Sequence, residues 1–338
     1  MAEPAPAPKL LADMGGTNAR FALLCEDGKI TRFETLACGE YPGPAAAAAA
    51  YLQSLGLAAA PMEAAFAVAA PVPLQKADDS DSVTLTNRAW SLSVAETKDC
   101  LSLVRLHVVN DFTAIALALP HLETSDLEQV GGGTAQEGGV KAVLGPGTGL
   151  GVSGLVPSSS SSPSPSGSWT PLASEGGHAT MAAANDRESA VLAVLRGKLG
   201  HVSAERLLSG PGLVAIAGAL AQLENQPDPD EPPAKTPDEI TRRGLSGEDG
   251  LCAEALDMFC AMLGTVAADL ALTLGARGGI YIGGGIVPRL GPAFATSPFR
   301  ARFEDKGRYS DYLAGVPSWV ITRDVPAFEG LKALLLRG

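Results

Sequence analysis

The sequence predicts an α/β fold of two domains, and three observations lead to that prediction. The chain has 338 residues, which is long for one hydrophobic core and ordinary for two. Hydrophobic residues make up 46% of it and charged residues 18%, so the chain as a whole is not disordered. Segments with a strand pattern and segments with a helix pattern follow one another along the whole chain, as in α/β proteins.

The N-terminal part predicts a strand hairpin followed by mixed strands and helices. The apolar segments on either side of residues 15–17 predict two strands joined by a glycine turn, not a strand–helix–strand unit. A strand at 103–109 stops at Asn110, and the helix predicted at 112–120 ends at Pro120. The other elements expected here are a strand at 29–37, an alanine-rich helix at 45–60, and strands at 64–70 and 82–87.

The middle and C-terminal parts predict a second hairpin and several helices. Residues 140–156 predict a strand, a glycine loop and a strand, and the Ser/Pro-rich run 158–168 predicts a flexible loop. Asn185 and Glu188 form a capping pair for a helix that ends at Gly200. We expect its apolar face to comprise Val191, Leu192, Val194, Leu195 and Leu199, and we expect further helices at 210–224, 248–275 and 327–337 and a strand within 278–287.

Charge and composition argue against several partners and compartments. The net charge is −12 and the pI is about 4.8, so we expect no nucleic-acid partner. The five cysteines show no Cys-x-x-Cys spacing, which indicates reduced thiols and neither a disulfide framework nor a zinc site. No secretion signal is visible, and the most apolar helical stretch, between Asp257 and Asp269, is far shorter than the roughly 20 residues of a membrane span. We therefore expect a cytoplasmic protein with no membrane partner.

Three glycine loops, at 15–17, 145–151 and 283–285, each follow an apolar strand. Glycine lets backbone N–H groups approach phosphate oxygens, and threonine adds a hydroxyl donor. None of the loops is a P-loop, and none is a dinucleotide fingerprint followed by an acidic strand residue. Each loop alone is most simply a tight turn, but three in one chain favour a nucleotide ligand.

Polar residues beside the first loop and after the strand at 103–109 have two interpretations each. Asp13 is either a turn aspartate or a carboxylate that meets a phosphate through Mg²⁺. Asn110 and Asp111 are either caps of the following helix or, at the carboxyl end of a strand, a ligand site with a general base. Both readings hold if one residue caps and the other faces a ligand.

Glu175 and His178 flank two glycines and could form part of a metal site or of a polyhydroxyl site. Zinc would need a third ligand, which the sparse histidines do not supply nearby, so hydrogen bonding to hydroxyls is favoured. Glu205 is a further acid near a helix start, and from local sequence alone it is most simply a solvated residue.

In order and spacing, these segments resemble the bacterial-type glucokinases of the actin/hexokinase/heat-shock-ATPase superfamily. The resemblance runs from Asp13 to the closing helix, and many long segments in one order make it specific. The matching segments are DMGGTNARFAL (13–23), LTNRAW (85–90), VVNDF (108–112), LGPGTGLGVS (144–153), SEGGHA (174–179), GHVSAERLLSGPGL (200–213), GGIVPR (284–289) and FRARFEDKGR (299–308).

The resemblance implies an ATP-dependent glucokinase with Asp111 as the general base for the sugar 6-hydroxyl. The sugar would be bound by Asn87, Asn110, Asp111, Glu175, His178 and Glu205. ATP would be bound by Asp13, Gly15, Gly16, Thr17, Asn18, Gly147, Thr148, Gly149, Gly284 and Gly285, with Asp13 holding Mg²⁺ through water.

The resemblance also implies an actin-like (ribonuclease H-like) fold with the active site in the cleft between two domains. We expect a small domain at 1–120 plus 322–338, a large domain at 121–321, and a homodimer. The zinc motif of the related repressor/kinase (ROK) group is absent, so we expect Mg²⁺ with ATP and no zinc. Met14 and Pro146 depart from the small or branched residues expected beside the phosphate loops.

Three other functions remain open from the sequence. A related hexokinase could act on mannose, glucosamine or an N-acetylated sugar. A sugar-responsive transcription regulator would need an added DNA-binding domain, for which few residues precede the first strand. A chaperone-type ATPase would leave the Glu175 and His178 constellation without a purpose.

Overall fold

The chain folds into two compact units, each built on its own β-sheet. Unit 1 comprises residues 1–123, 169–173 and 323–338, and unit 2 comprises residues 124–168 and 174–322. The structure is a computed structural model that describes residues 7–72, 82–85, 90–158, 169–224 and 236–336.

Strands and helices are mixed along the chain, as the sequence predicts for an α/β protein. The strands are β1 (Lys9–Met14), β2 (Asn18–Leu24), β3 (Ile30–Ala37), β4 (Glu63–Val68), β5 (Ser82–Thr84), β6 (Ser91–Ser93), β7 (Arg105–Asn110), β8 (Leu127–Val130), β9 (Lys141–Pro146), β10 (Leu150–Pro157), β11 (Trp169–Leu172), β12 (Ile280–Ile282) and β13 (Ser318–Ile321). The helices are α1 (Pro44–Leu55), α2 (Val94–Leu101), α3 (Asp111–Ala118), α4 (Asp186–Leu199), α5 (Gly210–Leu223), α6 (Pro237–Leu245), α7 (Gly250–Leu274), α8 (Val287–Leu290), α9 (Pro292–Thr296), α10 (Phe299–Glu304), α11 (Ser310–Ala314) and α12 (Ala327–Leu336).

The sheet of unit 1 has the strand order β3-β2-β1-β4-β7. Strands β1 and β2 pair antiparallel, with Asp13 opposite Arg20, which confirms the predicted hairpin. Strands β1, β4 and β7 run parallel, so their carboxyl ends lie at one edge of the sheet. That edge carries the first glycine loop after β1 and Asn110 at the end of β7.

Helices α3 and α12 pack closely in unit 1. A Cβ atom on Gly330 of α12 would overlap the carbonyl oxygen of Ala114 in α3, so the two backbones touch there. Leu331 of α12 is buried in the cluster that this contact forms with the sheet. The contact fixes α3, whose first residue is Asp111.

In unit 2 the strand order is β10-β9-β12-β13-β8. Strands β9 and β10 form the second predicted hairpin, with Pro146 paired to Leu150 across the glycine loop. Strands β9, β12 and β13 run parallel. The second and third glycine loops therefore leave the sheet at the same edge, one after β9 and one after β12.

Helix α7 is the central helix of unit 2. At 25 residues, it confirms the long helix expected at 248–275. It is also long and apolar enough, by length and composition, to cross a membrane, so the expectation that its apolar stretch is far shorter than a membrane span is wrong. Most of its apolar stretch is buried inside the protein, where Phe259 and Leu263 belong to the main core of unit 2. Burial of this kind is what a long core helix of a globular protein shows.

Two local predictions about helices differ from the structure. Helix α1 ends at Leu55, not at residue 60, because Gly56 adopts a left-handed conformation that ends it. In α4, the Asn185 cap is confirmed: its side chain accepts from the N–H of Glu188 at 2.8 Å. Leu199, expected on the apolar face of α4, is 42% exposed because it lies in the last turn, past the residues that pack on the core.

Some predictions fall outside the described residues or were missing from the sequence analysis. Of the segment predicted as a strand at 82–87, the described residues form a strand over Ser82–Thr84, and Leu85 is not part of it. Asn87 lies outside the described residues, as do residues 159–168 of the Ser/Pro loop. The elements that the sequence analysis did not identify are β6, α2, β8, β11, α6, α8, α9, α10, α11 and β13.

Candidate active site

The first glycine loop (residues 15–17) is a tight connection between β1 and β2. Its N–H at Gly15 donates to the carbonyl of Asn18 at 3.0 Å, and the N–H of Cys38 donates to the carbonyl of Thr17 at 2.9 Å. The side chain of Cys38 is buried beneath the loop, and its thiol approaches the Gly15 carbonyl at 3.6 Å. The loop is therefore held from below by β3 and its 3₁₀ extension.

Asp13 lies at the base of this loop, half-buried on β1. Its Oδ2 atom accepts from Nη1 of Arg20 at 3.1 Å, across the hairpin. Burial raises the pKa of the Asp13 carboxyl above its ordinary value of 3.8, while the charge and hydrogen bond of Arg20 oppose that rise. A partly desolvated carboxylate beside a glycine loop fits an Mg²⁺ ion that travels with a nucleotide, since the ion would supply further positive charge.

Asn110 is the N-cap of α3, which agrees with the first of the two interpretations of its sequence. Its Oδ1 atom accepts from the N–H groups of Phe112 and Thr113 at 2.9 and 3.2 Å. Its amide nitrogen donates to the carbonyl of Ala70 at 3.1 Å, which ties the end of β7 to the end of β4. One amide hydrogen of Asn110 remains for a ligand.

Asp111 is the first residue of α3 and is half-buried. Its Oδ1 atom accepts from the N–H of Phe112 at 2.9 Å. The N-terminal end of a helix favours negative charge, so this position suits an ionised carboxylate. Asn110 takes the capping role, which leaves Asp111 as the residue of the pair suited to chemistry.

The second and third glycine loops (residues 145–151 and 283–285) touch each other in unit 2. Gly284 has φ +78°, and a Cβ atom there would overlap the carbonyl oxygen of Pro146. The N–H of Ile286 donates to the same oxygen at 3.3 Å. A side chain at position 284 would push the two loops apart, so glycine is needed there for both its conformation and its size.

A pocket of about 720 Å³ opens beside these two loops. Loop residues form one wall, and the start of α5, the first two turns of α6, and α8 form the others. The exposed side chains of Arg289 and Asp238 form an ion pair of 3.2 Å at its rim. The lining residues are Gly147, Thr148, Gly210, Pro211, Pro237, Asp238, Thr241, Arg242, Gly285, Ile286 and Arg289.

Sequence reasoning identified the loop wall of this pocket and missed the helical wall. Pro211 is the second residue of α5, after the Ser209 cap, and Pro237 is the first residue of α6, after the Thr236 cap. A proline just inside a capped helix start is visible in sequence. Nothing local, however, indicates that these two helix starts lie against the same loop.

Glu175, His178 and Glu205 form an acid–imidazole cluster in unit 2. Nε2 of His178 is 4.0 Å from a carboxylate oxygen of Glu175, and Nδ1 is 3.9 Å from Oε1 of Glu205. These separations are longer than direct hydrogen bonds, so each group can still bond to a ligand. His178 lies in a 3₁₀ turn at 176–178, and Glu175 directly precedes it. The turn contacts β10, because a Cβ atom on Gly177 would overlap the Leu150 carbonyl oxygen.

Glu205 is not a free surface residue, contrary to the simplest reading of its local sequence. Its Oε2 atom accepts from the N–H of Leu150 at 2.9 Å, and a Cβ atom on Gly149 would overlap that oxygen. Its backbone N–H donates to the Gly177 carbonyl at 2.8 Å. Glu205 therefore contacts both the second loop and the acid–imidazole cluster.

The structure thus brings the predicted residues into one group in each unit. In unit 1, Asp13, the first loop and the Asn110–Asp111 pair lie at one edge of the sheet. In unit 2, the second and third loops lie beside the acid–imidazole cluster. Within the described part of the chain, no group of three or more His, Cys, Asp or Glu side chains is arranged to hold a metal ion.

Comparison with known proteins agrees with these features. The family model described as Glucokinase matches residues 10–337. The chain belongs to the glucokinase family. Its resemblance to the bacterial-type glucokinases is therefore confirmed. A glucokinase of Paramagnetospirillum magneticum is 51% identical over 326 residues, which cover 96% of this chain and 97% of that protein. A glucokinase of Aromatoleum aromaticum is 49% identical, over 97% of this chain and 94% of that protein.

Solved structures of glucokinases share the architecture of this glucokinase-family chain. A crystal structure of a glucokinase from an Antarctic psychrotroph superposes with a TM-score of 0.83, at 35% identity, over 98% of this chain and all of that one. A ROK family glucokinase from Streptomyces griseus, solved with glucose and AMPPNP, superposes with a TM-score of 0.63 at 17% identity, over 98% of this chain and all of that one. At that identity the second comparison supports the mixed α/β sugar-kinase fold alone.

Proposed function

We propose that this protein is an ATP-dependent glucokinase that transfers the γ-phosphoryl group of ATP to O6 of D-glucose. The observation that carries the proposal is the contact between the second loop and the acid–imidazole cluster through Glu205 in unit 2. Glu205 thus connects a loop whose backbone donors suit phosphates with a cluster whose acceptors suit sugar hydroxyls. The membership of the chain in the glucokinase family supports the same conclusion.

ATP would occupy the 720 Å³ pocket and the glycine loops. Pro211, Pro237 and Ile286 supply apolar surface for a base, while Thr148 and the neighbouring backbone N–H groups supply donors for phosphates. The first loop, with Gly15, Gly16, Thr17 and Asn18, would also lie against the phosphates. The N–H of Gly15 already donates to the Asn18 carbonyl, so Gly15 would shape the loop and not donate to ATP. In the second and third loops the corresponding residues are Gly147, Thr148, Gly149, Gly284 and Gly285. Among them Gly147 would shape the loop, because its N–H already donates to the Gly149 carbonyl.

Asp13 would hold the Mg²⁺ ion that accompanies ATP, through water. When bound, the ion neutralises charge on the phosphate oxygens as the phosphoryl group transfers. The raised pKa of Asp13 has burial as its main cause, so a cation at this point relieves an energetic cost of the unliganded protein. Arg20 keeps the carboxylate oriented through the hydrogen bond to Oδ2.

Asp111 would act as the general base. Its carboxylate accepts the proton of the O6 hydroxyl while O6 bonds to the γ-phosphorus and the bond from that phosphorus to the bridging oxygen of ADP breaks. The helix start of α3 and the N–H of Phe112 orient the carboxylate. Positioned bases of this kind contribute about 10²–10⁴ in rate.

Sugar selectivity would come from the acid–imidazole cluster together with Asn110 and Asn87. The carboxylates of Glu175 and Glu205 can each accept hydrogen bonds from sugar hydroxyls, and His178 lies between them. A sugar that lacks one of the matching hydroxyls leaves an acceptor unpaired, at a cost of about 1–3 kcal/mol or more for a charged group. This cost would favour glucose over sugars that differ at one carbon.

The family resemblance carries the remaining proposals. They are an actin-like ATPase fold with domains at 1–120 plus 322–338 and at 121–321, and an active site in the interdomain cleft. They also include a homodimer, a cytoplasmic location and the first step of glycolysis as the role. A related hexokinase, a transcription regulator and a chaperone-type ATPase would each give a different result in a coupled assay of ADP release.

A coupled assay of ADP release tests the proposal. The protein is incubated with Mg-ATP and, in separate reactions, glucose, mannose, fructose, glucosamine, N-acetylglucosamine or no sugar. We expect strictly sugar-dependent ADP release with glucose far ahead. ADP release without sugar would favour an ATPase, a different preferred sugar would favour another hexokinase, and no turnover with any sugar would reject the kinase function.

A further inference from the structure

The segment 205–210 joins the two halves of the site in unit 2. At one end, the N–H of Glu205 donates to the carbonyl of Gly177, inside the 3₁₀ turn that carries His178, at 2.8 Å. At the other end, the N–H of Gly210 donates to the carbonyl of Gly147 in the second loop, also at 2.8 Å. The segment is therefore fixed to the sugar side and to the phosphate side at once.

Ser209 makes this segment rigid. Its hydroxyl donates to the carbonyl of Glu205 at 2.8 Å and accepts from the N–H of Gly212 at 3.1 Å, so one buried side chain caps α5 and closes the turn before it. A displacement at Glu205 is thereby passed to the start of α5. That start contacts the second loop through Gly210.

The two carboxylate oxygens of Glu205 face different parts of the site. Oε2 accepts from the N–H of Leu150 and lies where a Cβ atom of Gly149 would be. Oε1 is 3.9 Å from Nδ1 of His178, which is too long for a direct hydrogen bond, so Oε1 can accept from a ligand hydroxyl. One carboxylate thus anchors the second loop and remains open toward the acid–imidazole cluster.

We propose that Glu205 is a positioning residue that couples the binding of the two substrates. A sugar hydroxyl on Oε1 limits the rotation of the carboxylate and so holds Oε2 on the N–H of Leu150, which orders the second loop for the nucleotide phosphates. The nucleotide in turn orders the same loop and presents Oε1 to the sugar. The second ligand then binds to a loop that the first ligand has already ordered, so its binding costs less conformational entropy. By thermodynamic linkage, each ligand tightens the binding of the other by the same factor. This inference rests on the proposed function of the cluster and of the loop.

The test is a thermodynamic cycle measured by calorimetry. The dissociation constant of D-glucose is determined with and without saturating Mg²⁺ and AMPPNP, and that of AMPPNP with and without saturating glucose. We expect each ligand to tighten the other by about 5-fold or more in the unaltered protein, by the same factor in both directions.

Glu205→Ala and Glu175→Ala form a matched pair of variants. Both remove a carboxylate that faces His178, but among the contacts of the described residues only Glu205 reaches the second loop. We expect Glu205→Ala to weaken AMPPNP binding in the absence of sugar and to reduce the coupling factor several-fold. Glu175→Ala should weaken glucose binding and leave both the coupling factor and the sugar-free AMPPNP affinity unchanged.

Glu205→Gln separates the loop contact from the charge. Its amide oxygen can still accept from the N–H of Leu150, so we expect a coupling factor between those of the unaltered protein and Glu205→Ala. This variant also decides the question if Glu205→Ala fails to fold, because it keeps the shape of the side chain. Circular dichroism and thermal melting establish that each variant is folded.

The outcomes separate this inference from the function on which it rests. If the unaltered protein binds neither glucose nor AMPPNP, the proposed function fails and the inference fails with it. If it binds both ligands independently, or if Glu205→Ala or Glu205→Gln keeps the full coupling while Glu175→Ala loses it, the proposed function stands and the coupling role of Glu205 is refuted.

Discussion

Replacing Gly284 with alanine tests whether the two glycine loops of unit 2 depend on their close contact. Gly284 has φ +78°, where a residue with a Cβ atom is strained, and that Cβ would overlap the Pro146 carbonyl oxygen and lie 2.9 Å from the carbonyl carbon of Gly145. The neighbours are backbone atoms, which cannot move aside as a flexible side chain could. Gly285 offers a matched control, because a Cβ atom there has no neighbour within 4 Å and its φ is not positive.

The expected cost of Gly284→Ala follows from two contributions. Holding a residue other than glycine in the left-handed region costs about 1–2 kcal/mol, and overpacking against fixed backbone costs about 1–3 kcal/mol. We therefore expect Gly284→Ala to lower the free energy of unfolding of unit 2 by about 2–5 kcal/mol. Gly285→Ala should leave it unchanged or raise it by up to about 1 kcal/mol, since alanine loses less chain entropy than glycine on folding.

If the loops bind phosphates, Gly284→Ala should also weaken nucleotide binding. Where the protein relaxes by moving the loops apart, the nucleotide must restore their spacing, and each 1.4 kcal/mol of that work lowers its affinity about tenfold. Urea unfolding and AMPPNP calorimetry on both variants provide the measurement. A Gly284→Ala protein with the stability and AMPPNP affinity of the unaltered protein would refute the reasoning about loop contact.

Two further predictions concern charges. Nη1 of Arg302 lies 2.7 Å from Oε1 of Glu188, whose side chain is only 2% exposed. In urea titrations, Arg302→Met should lower the free energy of unfolding by about 3–5 kcal/mol, because it leaves a buried charge unpaired, and adding Glu188→Gln should recover part of that loss. A loss under about 1 kcal/mol would contradict this prediction. Burial raises the pKa of the Asp13 carboxyl above 3.8, its ordinary value in the unfolded chain. Ionisation of Asp13 therefore lowers the free energy of unfolding as the pH rises above 3.8, and this loss is complete above the raised pKa. Asp13→Asn should therefore be at least as stable as the unaltered protein at pH 7 but bind Mg-ATP more weakly, and a clear loss of stability by urea unfolding would show that the Arg20 pair outweighs the burial.

Features set by neighbouring residues could be predicted from the sequence. The first hairpin, the Asn185 cap and the start of α5 each depend on a few adjacent residues, and the structure has all three. The glycine loops could be predicted for the same reason, since each follows directly on an apolar strand.

Features that join distant parts of the chain could not be predicted in this way. Glu205 and Leu150 are 55 residues apart, and the hydrogen bond between them changes Glu205 from an apparent surface acid to part of the site. The helical wall of the pocket likewise combines the starts of α5 and α6 with α8. The strands of three or four residues, such as β8 and β13, pair with each other from far apart and are too short to show a period. Family resemblance implies a sugar-binding role for Glu205 that its local sequence does not indicate, and that role stays a prediction.

We propose that Asp111 removes the O6 proton of glucose during phosphoryl transfer. The measurement that tests it most directly compares kcat and glucose affinity of Asp111→Asn with those of the unaltered protein, at saturating Mg-ATP. Asparagine has nearly the same shape and can still accept from the N–H of Phe112, so we expect glucose to bind with similar affinity while kcat falls by about 10²–10⁴. A variant that keeps most of the original kcat would contradict the assignment of Asp111 as the base.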